Sequence, residues 1–196
     1  AAVLAALAAL RAAWAEAVAL RKRDPAQAQS ALLEVAKRLN VQADNPVILA
    51  DCADTLLAVG REDEAEKLYR DLIKWNPRAA QKDRALAAIG KAEIKRGNSD
   101  AALQLFERFE REVVGSRLLG EVMLSRAHIL QASGRGAESR EVLERLLASE
   151  YAIGKEKAEA LYLIGETHMR DSRPELAIPY FQRLYVMYGR WREWVA

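Results

Sequence analysis

Residues 86–106 read LAAIGKAEIKRGNSDAALQLF, and their spacing decides the architecture. Leu86, Ile89 and Gly90 fall at i, i+3 and i+4 on one helical face, Gly97 breaks the helix, and Ala102 and Phe106 share a face of the next. The stretch is therefore a helix-turn-helix hairpin. Gly90 and Ala102 lack bulk where two backbones would cross, while Leu86, Ile89 and Phe106 fill the space on either side.

The same hairpin recurs outward in both directions. Upstream, Leu49, Cys52 and Ala53 precede Gly60 and are answered by Ala65, Tyr69 and Leu72, and Asn76 and Pro77 end that helix. Before them come Asp24 and Pro25, then Asn45 and Pro46, each pair an N-cap followed by a first-turn proline. Downstream, Met123, Ala127 and Leu130 are answered across Gly134 by Ser139, Leu143 and Leu146. Leu161, Ile164 and Gly165 are then answered by Ala177, Phe181 and Leu184, in a helix that Ser172 and Glu175 are spaced to cap. The small residues opening each second helix are Ala28, Ala65, Ala102, Ser139 and Ala177, at steps of 37, 37, 37 and 38 residues. A fixed period of this size means a solenoid.

A small residue just after an apolar one, a glycine turn, then Ala-x3-aromatic or leucine and a proline: this order resembles the tetratricopeptide repeat (TPR) family. The resemblance implies an all-α, right-handed α-solenoid of about five repeats, over 9–42, 46–79, 83–116, 120–153 and 158–191, with 192–196 starting a further or capping helix. Three residues depart from the family pattern: Arg126 at an apolar position, and Glu93 and His168 where tyrosine or leucine is usual. The long period and the segment Ala177-Ile178-Pro179-Tyr180-Phe181-Gln182-Arg183 are also similar to TPR proteins of the bacterial cell envelope, the outer-membrane assembly lipoproteins and Tol-Pal accessory proteins. That second resemblance leans toward the periplasm or envelope over the cytoplasm.

With 51% hydrophobic and 30% charged residues the chain is composed to fold, and a net charge of +2 without a basic stripe argues against a nucleic-acid partner. Arg21, Lys22 and Arg23 form the one concentrated cationic run, which suits a helix C-terminus. The single cysteine, Cys52, excludes an intramolecular disulfide. In the alanine-rich first 20 residues the uninterrupted apolar run stops at Arg11, too short to cross a membrane, so no direct span is expected. Each solenoid repeat touches only its neighbours, which keeps Cys52, His128 and His168 from forming a catalytic or metal constellation. The Gly134-Arg135-Gly136 segment lacks the strand that a phosphate loop requires. The reading is not an enzyme, and no cofactor is implied.

In the solenoid the first helix of each repeat lines the inner face. By analogy with the family, the candidate protein-binding residues there are Asp54, then Arg84, Lys91 and Lys95, then Glu121 and His128, then Glu159, Tyr162, Glu166 and Arg170. A protein or peptide segment with an apolar half and an acidic patch would suit this series. The carboxylate clamp by which some family members hold chaperone tails is absent: Arg84 coincides with it, while Ala13, Ala17, Asp51 and Ala88 take the other positions. At the C-terminus, Tyr188, Trp191 and Trp194 form a candidate end interface for self-association. The expected function is a protein-interaction scaffold that assembles a larger complex. The alternatives are a regulatory or substrate-guiding arm of a larger enzyme, and a nucleic-acid-associated helical repeat.

Overall fold

The computed structural model describes residues 2–40 and 45–189. These form ten helices and, among the described residues, no strand. The helices are α1 (Ala2–Leu20), α2 (Pro25–Lys37), α3 (Pro46–Ala58), α4 (Glu62–Trp75), α5 (Lys82–Lys95), α6 (Ser99–Glu112), α7 (Leu119–Ala132), α8 (Gly136–Ala148), α9 (Gly154–Arg170) and α10 (Pro174–Tyr188). The fold is an all-α helical repeat. Its even-numbered helices start 37, 37, 37 and 38 residues apart, the period carried by the small residues.

Two compact units divide the chain, Ala1–Arg96 and Gly97–Ala196. In the first, α1 packs on α2, α2 on α3, α3 on α4 and α4 on α5. In the second, α6 packs on α7, α7 on both α8 and α9, α8 on α9, and α9 on α10.

Local chemistry sets the helix ends. Asp24 accepts a bond from the Gln27 N–H at 3.0 Å and Asn45 one from the Val47 N–H at 2.9 Å, each just before a proline that opens the helix. Gly60, Gly97 and Gly134 end α3, α5 and α7 with φ of 78°, 80° and 74°, where a side chain would be strained. At the next repeat this place belongs to Ser172, with φ 58°. The capping role expected for Ser172 is thereby corrected: α10 begins at Pro174 behind Arg173, and Ser172 makes the left-handed turn that glycine makes elsewhere.

Small residues stand where helices close on one another. A Cβ on Gly165 would lie 2.5 Å from the Phe181 ring, so α9 and α10 can approach only because that side chain is missing. In the first repeat the buried small residue is Ala17, fully enclosed, rather than Glu16, which a strict 37-residue step would select. The cause is a shorter connection: 11 residues separate Ala17 from Ala28, against 12 from Ala53 to Ala65. Leu10 joins Ala17 in the core.

Helix α1 continues through Arg11 and Glu16, and its window Val3–Leu20, of mean hydropathy 1.7, is long and apolar enough to cross a membrane, with 11% of it buried. The ten-residue run therefore underestimates its reach. In the folded unit α1 is tied down by Leu10 and Ala17 in the core and by the Trp14 indole N–H, which donates to Asp51 at 2.9 Å.

Candidate functional site

In the first unit, one buried carboxylate joins three odd-numbered helices. Asp51 on α3 accepts from Trp14 of α1, pairs with Arg21 just beyond α1 at 3.3 Å, and accepts from Arg84 of α5 at 3.0 Å. Its side chain is 8% exposed, so the charge is retained by these partners and not by water. Arg84 also bonds Asp54, and Asp54 takes the Tyr69 hydroxyl hydrogen from α4. Burial works against the Arg84 charge, but Asp54 and Asp51 outweigh it and hold the guanidinium pKa above its ordinary value. Burial, and then the bond to Asp54, push the Tyr69 hydroxyl upward. Asp54 and Arg84 therefore meet as a half-buried network. Lys95 reaches Glu62 on α4. Lys91 lies on the same side of α5, four residues before Lys95.

In the second unit, His128 Nε2 lies 3.0 Å from Glu159, linking α7 to α9. This rung repeats the Asp54–Arg84 rung, since each joins equivalent positions of consecutive odd-numbered helices. Below it Gln131 donates to the Thr167 hydroxyl at 2.9 Å and to the Leu163 carbonyl at 3.3 Å. The Tyr162 hydroxyl donates to Glu166 at 3.1 Å, and Arg170 also reaches Glu166 at 3.4 Å. Glu121 is exposed on α7. Glu156 accepts from the Ile153 N–H at 2.8 Å and lies over Gly120, where a Cβ would come 2.0 Å from its carboxylate. Burial foremost, with Glu121 and Glu159 adding to it, raises the Glu156 pKa above the usual carboxylate range. Tyr188 is half-buried, and Trp191 and Trp194 lie outside the described residues.

The expected face thus divides by unit. Asp54, Arg84, Lys91 and Lys95 lie in the first, and Glu121, His128, Glu159, Tyr162, Glu166 and Arg170 in the second. Asp51 and Glu156 were not among the expected residues. Asp51 was legible as a charge inside the apolar run of α3, whereas nothing in the local pattern separates Glu156 from an ordinary first-turn acid.

Each of the three departures from the repeat pattern meets a side chain of a neighbouring helix, although Arg126 Nε and His168 Nδ1 stay buried without a hydrogen-bond partner. Glu93, 8% exposed, meets Arg70 of α4 at 2.8 Å. Arg126 pairs with Glu107 at 2.7 Å and Glu110 at 2.8 Å on α6. His168 stacks on Tyr180 of α10 with centroids 5.6 Å apart, and burial, aided by Arg140, lowers its pKa and favours the neutral ring.

Among the described residues, no three of His, Cys, Asp and Glu gather into a metal-binding group. No curated protein matches the chain significantly. Solved structures do. A MamA protein aligns over 94% of both chains at 16% identity and a TM-score of 0.69. PilF of Pseudomonas aeruginosa aligns over 94% of this chain and 79% of its own at 18% identity, also with a TM-score of 0.69. YrrB, described as a TPR protein with an unusual peptide-binding site, covers 85% and 79% at 14% identity with a TM-score of 0.64. At these identities the likeness extends to the fold alone. The family model for the tetratricopeptide repeat matches residues 51–114 and 124–190, most of the sequence, and the chain belongs to the tetratricopeptide repeat family.

Proposed function

We propose that this chain is a non-catalytic scaffold that holds a segment of a partner protein against its odd-numbered helices and so assembles a larger complex. The observation that carries the reading is that large apolar residues recur, exposed, at one register near the ends of these helices, each within its own unit. In the first unit Leu57 is 39% exposed and Ile94 38%, and in the second Met169 is 52% exposed at the same register. Single exposed apolar residues are ordinary, but recurrence at one register is not. On α7 this register is taken by Gln131, whose amide is engaged with α9. YrrB, whose description names a peptide-binding site, lends the reading support. The test is selection of short random peptides on the immobilised chain, repeated with the double variant Leu57→Glu, Ile94→Glu. Peptides should be enriched on the wild type, and the double variant should lose them while keeping its helix content. Absence of enrichment, or enrichment indifferent to both substitutions, removes the proposal.

A second reading, self-association through the C-terminal end, is favoured by α10. Tyr185 is 69% exposed, while Leu147, at the same register of α8, is 8% exposed in a helix that α9 covers. Val186 and Met187 are exposed beside Tyr185 at 80% and 58%. Sedimentation velocity should detect a concentration-dependent dimer that Tyr185→Ser with Val186→Ser makes more monomeric. A wild-type chain that stays monomeric at high concentration ends this reading.

A further inference from the structure

The register that brings α4 and α5 together also leaves a gap. Ala88 and Ala92 lie one turn apart on α5. At the register of Ala92, α3, α7 and α9 carry Thr55, Ile129 and Thr167, all larger and all buried. At that of Ala88 they carry Asp51, Ser125 and Leu163. In α5 both positions are alanine, as Ala15 and Ala19 are in α1, and a pocket of about 220 Å³ opens between α3, α4 and α5, with Leu57 at its edge and Tyr69 at its base. Tyr69 is 1% exposed and its hydroxyl is anchored on Asp54, so the aromatic wall is in place before anything binds. The volume is below the roughly 300 to 1,000 Å³ of small-molecule sites and suits a single large side chain.

Charge at the mouth selects what accompanies that side chain. Lys91 and Lys95 line the α5 edge. Facing them on α4 are Glu62 and Glu66, and the Glu66 carboxylate is held by Arg96 and by Arg70. Glu62 pairs with Lys95 across the opening, with side chains 48% and 64% exposed. An ion pair so exposed is worth little and exchanges readily, so an incoming carboxylate can take the place of Glu62 at small cost. With Glu66 held by its arginines, the exchangeable Lys95, beside Lys91 on the same edge, offers an incoming carboxylate its ammonium group. We propose that this pocket seats one large apolar side chain of a partner protein segment, with an adjacent aspartate or glutamate of that segment meeting Lys91 and Lys95. This rests on the scaffold reading and names the chemistry of its ligand.

The test uses the full chain and the peptides that it selects from a random library. They should share a large apolar residue beside an acidic one. Ala92→Ile, which installs the residue that the fourth repeat carries at this register, should fill the pocket and weaken their binding at least about tenfold, as expected when a buried apolar side chain loses its seat. Lys91→Gln with Lys95→Gln should weaken binding severalfold at low salt, and the difference should shrink as salt rises. Unfolding curves check that each variant is folded. As a measurement on the unaltered chain, a photo-crosslinker at the apolar peptide position should attach within α4 or α5 beside Tyr69 and Ala92. Peptides that lack the apolar-acidic pair, or that crosslink elsewhere and ignore Ala92→Ile while still failing on Leu57→Glu, overturn the pocket and leave the scaffold standing. No selected peptide at all overturns both.

Discussion

Replacing Phe106 by alanine is expected to cost about 3 to 5 kcal/mol of stability, the range for removing a buried aromatic side chain. Phe106 is fully buried in the second unit. The helix that carries it is otherwise strongly polar: Ala102, Leu103, Phe106 and Phe109 are its buried residues, while Glu107, Glu110, Arg111 and Glu112 crowd its later turns. A helix of 14 residues is marginal in water on its own, so α6 depends on that narrow face, and the ring is its largest single element after Phe109 is set aside. For a unit of this size each kcal/mol moves the midpoint by about 4 to 8 °C, so thermal unfolding followed by circular dichroism should fall by more than about 10 °C. Because repeats support one another only through neighbours, the transition should also broaden. Phe106→Leu, which keeps much of the volume, should cost far less. An unchanged midpoint in the alanine variant would falsify the assignment of Phe106 to the core.

Much of the fold was legible because packing in a helical repeat is local. Gly60, Gly97 and Gly134 mark the turns, the small residues mark the crossings, and both follow from short-range sterics that recur at the period. The two register errors are instructive for the same reason. Ser172 does in α10 what glycine does elsewhere, so a reader of residue types sees a cap where the backbone makes a turn. Ala17 is displaced by one because the first connection is a residue shorter, which no property of Ala17 itself discloses.

The candidate face was less legible, because charge on a helix does not reveal its partner. Arg84, Lys91 and Lys95 look alike in sequence. Arg84 is nonetheless committed to Asp51 and Asp54, some 30 residues away, while Lys95 shares an exposed and exchangeable pair with Glu62. The pocket beside them was invisible for a complementary reason. It arises from what Ala88 and Ala92 lack relative to Thr55, Ile129 and Thr167, and an absence of bulk in an alanine-rich helix carries no signal until the register is known.

Asp51→Ala is expected to cost about 2 to 4 kcal/mol, the penalty for truncating a buried, hydrogen-bonded charge and leaving its partners unmatched. The loss falls on three helices together. Trp14 of α1 loses the acceptor of its indole N–H, Arg21 loses its counter-ion, and Arg84 of α5 is left with Asp54. Asp51→Asn separates charge from shape. The amide offers one oxygen where the carboxylate uses both, Oδ2 toward Trp14 and Oδ1 toward Arg84, so one donor must face an NH2 group. Asparagine should therefore recover little of the stability, whereas a site held by packing alone would recover nearly all of it. The reverse substitution, Arg84→Glu, should be at least as harmful, since it sets a third carboxylate beside Asp51 and Asp54 in a half-buried place. Denaturant unfolding of the three variants, in a background with Trp75, Trp191 and Trp194 changed to phenylalanine so that Trp14 is the local fluorescent reporter, decides the matter. If Asp51→Asn unfolds like the wild type, the carboxylate does not tie α1, α3 and α5 together, and the alignment of the proposed binding face must come from apolar contacts alone.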